Sequence, residues 1–193
     1  MSDTNLTIKQ IEYALYTSSI FDNKTYIMVP NISYGLLSYE ADFIAMSKSG
    51  YITEVEIKRS FSDFKADFKK RHLHDDPLVY YFYYCVPEKI LKKVKAFLLE
   101  KYGSPYKCPA ILYYDEIGFV HKLPNFGYTG FFRNKYARKL FAEEQVKLAR
   151  LGCYRYWSIQ ENTAGKEIIE LRKSIMACTR IDGIQLEIEF PED

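Results

Sequence analysis

The stretch Glu40–His72 reads EADFIAMSKSGYITEVEIKRSFSDFKADFKKRH, and the interpretation of the whole chain depends on it. Its pattern predicts two strands joined by a turn and followed by a charged helix. Side chains alternate between the two faces of a strand, so we expect Val55 and Ile57 to share one face of the second strand. The other face would carry one aliphatic and three ionisable side chains, Ile52, Glu54, Glu56 and Lys58. Ionisable groups on a central strand are costly to bury unless they are paired or have a chemical use.

The composition predicts a globular protein with a well-packed core. The 193 residues suit one domain with at most a small appendage. Hydrophobic residues make up 48% of the chain, charged residues 27% and aromatic residues 17%, which favours a folded chain over a disordered one. The formal net charge is only +2, so binding of a polyanion would have to come from a local cluster of basic residues.

The cysteines and the apolar runs help to predict the cellular compartment of the protein. The four cysteines are widely spaced and form no C-x-x-C pair, which favours buried, reduced thiols in a cytoplasmic protein. The first seven residues are largely polar, so no signal peptide is predicted. The most apolar run, Leu78–Pro87, is too short to span a bilayer, and we expect no membrane partner.

The order of predicted elements indicates one α/β domain with a mixed central sheet flanked by helices. A capping box formed by Thr7 and Gln10 predicts a first helix that ends near Tyr16. Further helices are predicted at 61–72, 88–102 and 134–151, and strands at 26–30, 40–47, 51–58, 78–86, 110–114 and 119–123. A helix at 163–176 and an alternating strand at 184–190 complete the prediction. We expect a core at 1–130 and a C-terminal helical and strand extension at 131–193 packed on it.

The residue types of the opening stretch suit metal-dependent hydrolysis of a phosphodiester. A divalent metal held by two or three carboxylates both neutralises the crowded anion and lowers the pKa of the attacking water. Asp42 and Glu56 occupy the two arms of the predicted hairpin, where oxygen ligands for Mg²⁺ can converge. Lys58 lies on the same face as Glu56 and could orient the water or stabilise the phosphorane. The carbonyl of Ile57 is a further candidate ligand.

These residues and their surroundings resemble a known group of proteins. Asp42 followed by Glu56-x-Lys58 resembles the PD-(D/E)xK nuclease superfamily. The succession EVEIK at 54–58, SDFKAD at 62–67 and YYCVP at 83–87 is similar to the MmcB family of DNA-repair-associated proteins. The segments CPAILYYD at 108–115 and KLP at 122–124 are similar to that family's next hairpin. The resemblance covers roughly residues 7–124.

The resemblance implies a restriction-endonuclease-like core and a Mg²⁺- or Mn²⁺-dependent nuclease that acts on DNA in repair or processing. The metal-binding acids would fall on Asp42 and Glu56, the lysine on Lys58 and a first-helix acid on Glu12. Glu12 also lies on or beside the apolar stripe of its helix, where an acid is unusual. The alternative is a catalytically inactive DNA-binding or adaptor module on the same fold. An RNA substrate and a homodimer stay open.

Two residues depart from the superfamily pattern, and two others match the family pattern. Ala41 stands where proline is common, and Glu54 adds a second acid on the face that carries Glu56, where it could assist the metal or point to solvent past the edge of the sheet. Asp63 and Asp67 match the family pattern, and their helical spacing also suits an ion-pair ladder with Arg71.

Other groups have both a functional and a structural interpretation. His72, His74, Asp75 and Asp76 could bind a transition metal or form a solvated turn. Basic residues cluster at 65–71, 89–95 and 133–139, where they could hold phosphates or form solvated helix faces. Tyr128, Phe131 and Phe132 could stack on bases or pack internally. The chain contains no G-x-S-x-G, P-loop or G-x-G-x-x-G motif, so serine hydrolase, NTPase and dinucleotide-binding functions lack support.

Overall fold

Six strands form one mixed sheet within the residues that the computed structural model describes, 3–32, 35–69, 76–127 and 134–159. They are β1 (Ile27–Ile32), β2 (Ala41–Met46), β3 (Ile52–Ile57), β4 (Val79–Pro87), β5 (Ala110–Tyr114) and β6 (Val120–Lys122). Their order in the sheet is their order in the chain. β1, β2 and β3 pair antiparallel, β3, β4 and β5 pair parallel, and β6 returns antiparallel to β5.

Helices cover both faces of this sheet. They are α1 (Ile8–Thr17), α2 (Phe61–Asp67) and α3 (Leu91–Tyr102), with short 3-10 helices at Glu88–Ile90 and Pro105–Lys107. Phe64 of α2 and Val94 of α3 are buried in one cluster with Ile52 of β3. Ile11 of α1 is buried in a second cluster with Val55 of β3. The expected α/β fold with a mixed, helix-flanked sheet is confirmed, and so is the alternation predicted for β3.

The ends of the helices follow from capping residues in the sequence. The hydroxyl of Thr7 accepts a hydrogen bond from the N–H of Gln10, and the Gln10 side chain accepts one from the N–H of Thr7. The hydroxyl of Ser60 accepts a hydrogen bond from the N–H of Asp63 and caps α2. Gly103 ends α3 with φ of 71°, a left-handed conformation that costs glycine little.

The helix predicted at 134–151 begins only at residue 142, so the predicted start is wrong. The preceding segment directs its N–H groups to other parts of the fold. The N–H of Leu140 donates to the carbonyl of Gly50 at 2.9 Å, and two further N–H groups donate to carbonyls in or just before β4. These bonds satisfy the backbone donors without a helix, which the local pattern does not reveal. Likewise, α2 ends at Asp67, earlier than the predicted end near residue 72.

β4 corresponds to the apolar run that was predicted to be buried on both faces. It is buried except at Tyr80, which is half-buried, and Tyr81, which is exposed. The described ranges contain no helix that is both long and apolar enough to cross a bilayer.

A close approach of two backbone segments requires glycine at position 127. Gly127 has φ of 68°, and a Cβ there would lie 2.5 Å from the backbone N and Cα of Ala110 at the start of β5. The N–H of Gly127 also donates to the carbonyl of Pro105. Any side chain would therefore push the loop away from the sheet.

The chain divides into two compact units, Met1–Gly152 and Cys153–Asp193. The six strands and α1, α2 and α3 belong to the first unit, and the described residues of the second unit, 153–159, are helical. The division into a 1–130 core and a 131–193 extension stays a prediction. The helix predicted at 163–176 and the strand predicted at 184–190 lie outside the described residues.

Candidate active site

The backbone pairing of β2 with β3 ends at Asp42. There the carboxylate of Asp42 takes the place of a backbone carbonyl as the hydrogen-bond acceptor. The last backbone pair before this point is Phe43 with Val55. Oδ2 of Asp42 then accepts a hydrogen bond from the N–H of Ile57 at 2.8 Å. The N–H and C=O of one strand residue point to the same side of the strand, so the carbonyl of Ile57 is also directed toward β2. Asp42 and the Ile57 backbone therefore meet at this end of the sheet.

The ammonium of Lys58 lies between two carboxylates beneath α2. Its Nζ is 2.7 Å from Oε1 of Glu56 and 2.9 Å from Oδ1 of Asp67. Each of the three residues is 3% exposed. Little water screens these charges, so loss of one partner would leave an uncompensated buried charge.

The balance of burial and charge keeps Lys58 protonated. Burial alone would lower the pKa of Lys58, but Coulomb attraction to Glu56 and hydrogen bonds to Asp67 and Glu56 outweigh it. The net effect raises the pKa above its ordinary value of 10.5. In this arrangement Lys58 is therefore a cation at neutral pH.

Tyr84 of β4 holds the second oxygen of Asp67. Its hydroxyl donates to Oδ2 of Asp67 at 2.8 Å, and Tyr84 is opposite Glu56 in the parallel ladder. Burial raises the pKa of the Tyr84 hydroxyl strongly, and the Asp67 charge adds to this shift. Tyr84 thus stays a neutral donor and orients Asp67 toward Lys58.

Glu54 forms a separate buried pair on the same face of β3. Oε2 of Glu54 accepts a hydrogen bond from the hydroxyl of Tyr39 at 2.6 Å. Glu54 is fully buried, whereas the sequence analysis left open whether it assists a metal or points to solvent. Its burial excludes the solvent-exposed interpretation.

Glu12 lies on the helix that covers the other face of the sheet. Its neighbours Ile11 and Leu15 are buried with Val55 and Ile57, whereas Glu56 and Lys58 lie on the face covered by α2. Glu12 itself is half-buried. The structure therefore brings together Asp42, Glu56, Lys58 and Ile57 and places Glu12 on a different layer.

The donor atoms at the end of β2 and β3 fit a hard divalent cation in chemical type. The carboxylates of Asp42 and Glu56 and the carbonyl of Ile57 supply only oxygen, which Mg²⁺ and Mn²⁺ prefer. Within the described part of the chain, no group of three or more His, Cys, Asp or Glu side chains is arranged to hold a metal ion. A site here would therefore combine two carboxylates with the backbone carbonyl and water.

Asp67, which contacts Lys58, and Tyr84, which contacts Asp67, were not predicted from the sequence as parts of this network. Asp67 was interpreted as a doubtful member of a surface ladder with Asp63. A signal was present, because Asp67 follows Phe64 by three residues and so lies on the apolar side of α2. Nothing in the run of tyrosines in β4 marks Tyr84 as a hydrogen-bond donor to this acid.

Several of the remaining candidates are engaged elsewhere or lie beyond the described residues. The guanidinium of Arg138 forms two 2.6 Å bonds to Glu144 and lies over the ring of Phe141. His121 stacks on Tyr113 with ring centroids 5.1 Å apart. Several residues of the other predicted groups lie outside the described residues: Lys70, Arg71, His72, His74, Asp75, Tyr128, Phe131, Phe132 and Arg133.

Comparisons with known proteins show the fold. No model of a known protein family matches the chain, and no curated protein sequence matches it. The chain is similar in structure to the SPO1766 protein of unknown function from Silicibacter pomeroyi, with a TM-score of 0.52 and 14% sequence identity. The match covers 84% of this chain and 95% of that one. At this identity the likeness supports a shared α/β fold.

Proposed function

We propose that this chain is a Mg²⁺- or Mn²⁺-dependent nuclease that hydrolyses phosphodiester bonds of DNA on a restriction-endonuclease-like core. One observation carries the proposal: Asp42 is hydrogen-bonded to the N–H of Ile57, the residue between Glu56 and Lys58. Two acids, a carbonyl and a buried cation therefore occupy one end of two neighbouring strands. This combination matches the requirements of metal-assisted phosphodiester hydrolysis.

The proposed roles follow from the chemistry of each group. Asp42, Glu56 and the carbonyl of Ile57 hold the cation, which lowers the pKa of a water molecule when bound. Lys58 stays protonated and stabilises negative charge on the phosphate, or orients the attacking water by donating a hydrogen bond.

Asp67 and Tyr84 would hold Lys58 in position when a cation binds at the site. A cation on Glu56 would compete with Lys58 for the Glu56 carboxylate. Asp67 would then keep the ammonium in place, and Tyr84 would keep Asp67 oriented. Asp42 is half-buried, so substrate would approach from its side rather than through α2.

A non-catalytic DNA-binding or adaptor module on the same fold is the second candidate. The observation that favours it is the burial of Glu56, Lys58 and Asp67, each 3% exposed and joined by short contacts. A closed network of this kind can act only to make the chain adopt one specific fold, without a catalytic role. This candidate predicts DNA or protein binding that does not depend on metal and is not followed by cleavage.

A cleavage assay separates the two candidates. The chain is incubated with single-stranded, double-stranded, nicked and flapped DNA, with Mg²⁺ or Mn²⁺ and with EDTA as the metal-free control. The nuclease proposal predicts metal-dependent cleavage that Glu56→Ala and Lys58→Ala abolish. Cleavage that survives both substitutions would remove this site from consideration, and metal-independent binding without cleavage would favour the second candidate.

A further inference from the structure

Exposed lysines are concentrated on two adjacent helices, α2 and α3. We infer that this side of the molecule binds the phosphodiester backbone of nucleic acid without reading its sequence. The inference deepens the proposed function by naming its substrate-binding surface, and it relies on that proposal for the choice of nucleic acid. The six residues are here called the lysine surface: Lys65, Lys69, Lys92, Lys93, Lys95 and Lys101. All are exposed except Lys95, which is half-buried.

Aromatic packing between the helices fixes the base of the lysine surface. Phe61, Phe64 and Phe68 of the α2 segment contact Phe97 of α3, with ring centroids 6.3, 5.7 and 5.1 Å apart. These contacts hold the two helices side by side. The spacing of cations on them is therefore set by the fold and not by a mobile loop.

Two of the lysines lie over rings of this aromatic layer. Nζ of Lys65 is 5.2 Å from the centroid of Phe61, and Nζ of Lys101 is 5.1 Å from the centroid of Phe68. A cation over an aromatic ring loses little hydration and remains able to meet an anion. Partial ordering of these side chains before binding reduces the entropy lost on binding.

Ion pairs with other described residues do not neutralise the charge of the lysine surface. Among the residues that the structure describes, no carboxylate lies within ion-pair distance of these six ammonium groups. By contrast, two other basic residues are paired with acids: Nζ of Lys89 is 2.6 Å from Glu116, and Arg138 pairs with Glu144. The chain as a whole carries a net charge of only +2, so this surface concentrates positive charge locally. The acids that share these helices lie near their ends: Asp63, Glu88 and Glu100.

The surroundings of the lysines favour nucleic acid over a membrane as the polyanion. Helices that lie on anionic bilayers bury Trp, Phe or Leu side chains between their cations. No large hydrophobic side chain is exposed on 61–69 or 88–102, since the exposed large hydrophobics of the described chain lie elsewhere. Phosphate contacts by lysine need no such insertion.

The lysine surface adjoins the candidate active site through α2. The inner side of α2 carries Asp67, which contacts Lys58, and the outer side carries Lys65. A backbone held on the outer side therefore lies on the same face of the sheet as Glu56 and Lys58.

The test compares two triple charge reversals that have equal net charge. One reverses three residues of the lysine surface: Lys65→Glu, Lys92→Glu and Lys93→Glu. The control reverses three exposed lysines on other parts of the molecule: Lys9→Glu, Lys24→Glu and Lys48→Glu. Each reversal changes the charge by two, so both variants go from +2 to −4. Circular dichroism and thermal melting check that both variants fold.

Binding is measured by fluorescence anisotropy with labelled mixed-sequence DNA and RNA duplexes in EDTA, so that no cleavage occurs. Six phosphate contacts predict that the affinity of the unmodified chain falls about 2,000-fold between about 50 and 200 mM salt. The lysine-surface variant should lose most of this affinity and have a salt dependence shallower by about 3 in log–log slope. The control variant should lose affinity only a few-fold. The DNA and RNA arms decide which backbone is held more tightly.

Several outcomes would overturn the inference. Equal losses in the two triple variants would show that only overall charge matters. Binding to vesicles that contain phosphatidylserine, without binding to either duplex, would assign the surface to a membrane. Failure to bind any of these probes would show that the lysine surface does not bind a polyanion. Failure of the nuclease proposal is distinguishable, because cleavage would then be absent while metal-free binding still depended on the lysine surface.

Discussion

Nζ of Lys58 lies 2.9 Å from Oδ1 of Asp67, although one residue directly follows β3 and the other ends α2. The same ammonium contacts Glu56 at 2.7 Å, so one lysine joins the sheet to the helix that covers it. Both carboxylates and the ammonium are buried. The contact between Lys58 and Asp67 therefore affects both the chemistry of the candidate site and the stability of the fold.

Asp67→Asn should destabilise the protein by about 3 kcal/mol, because it removes one of two charges that compensate a buried ammonium. Asp63→Asn, an exposed change on the same helix, should cost less than about 1 kcal/mol. Urea denaturation of both variants measures the difference. Equal stability of the two variants would contradict a structural role for the Lys58–Asp67 contact.

Tyr84→Phe and Tyr39→Phe form a matched pair, since each removes a buried hydroxyl that donates to a carboxylate. We expect each to lower the free energy of unfolding by about 1–3 kcal/mol. Only Tyr84→Phe should reduce cleavage, by about tenfold, because Tyr84 orients Asp67, which contacts Lys58, whereas Tyr39 bonds to Glu54. Single-turnover cleavage rates measure this. Equal rates for both variants would show that orientation of Asp67 does not matter to the reaction.

Stability should decline in alkaline solution above pH about 10, where Tyr84 and Lys58 begin to lose protons in the unfolded chain. Their ordinary pKa values are 10.0 and 10.5, and the fold raises both. A group whose pKa is raised on folding contributes stability that is complete below its unfolded pKa and is lost as pH rises through its folded pKa. Tyr84→Phe removes the Tyr84 contribution and should give a shallower decline.

Urea denaturation at a series of pH values measures that decline. Tyr13→Phe, a change at an exposed tyrosine, provides the control and should follow the unmodified chain. A decline that is as steep in Tyr84→Phe as in the unmodified chain would argue against a buried, neutral phenol at this position.

Gly127→Ala should destabilise far more than Gly103→Ala, although both glycines have φ near 70°. A Cβ at position 127 would lie 2.5 Å from the backbone of Ala110, whereas a Cβ at position 103 meets no atom within 4 Å. We expect a cost of about 1 kcal/mol at position 103 from the left-handed conformation and at least about 3 kcal/mol at position 127. Thermal melting measures the two changes, and similar melting temperatures would contradict the close approach.

Local patterns were sufficient to predict most of the sheet and its helices. The Thr7 capping box, Ser60 and Gly103 mark three helix ends, and the alternation along β3 separates Val55 from Glu56. These signals depend on neighbours in sequence, which a single chain displays directly.

Features that depend on distant residues were harder to predict. The helix that begins at residue 142 was predicted too early, because Leu140 bonds to Gly50, some ninety residues away. The pairing of Lys58 with Asp67 depends on how α2 lies across the sheet. Sequence spacing can place Asp67 on the inner side of α2, but it does not give the partner that Asp67 meets.

The most direct test of the proposed site is the single-turnover rate of DNA cleavage with Mg²⁺ for Asp42→Asn beside Glu54→Gln. Both changes neutralise an acid on β2 or β3: Asp42 accepts a hydrogen bond from the N–H of Ile57, whereas Glu54 accepts one from the hydroxyl of Tyr39. The proposal predicts that Asp42→Asn lowers the rate by a factor of at least about 1,000, whereas Glu54→Gln retains most of the activity of its folded fraction. Cleavage by Asp42→Asn at the rate of the unmodified chain would contradict the assignment of the metal site to Asp42 and Glu56.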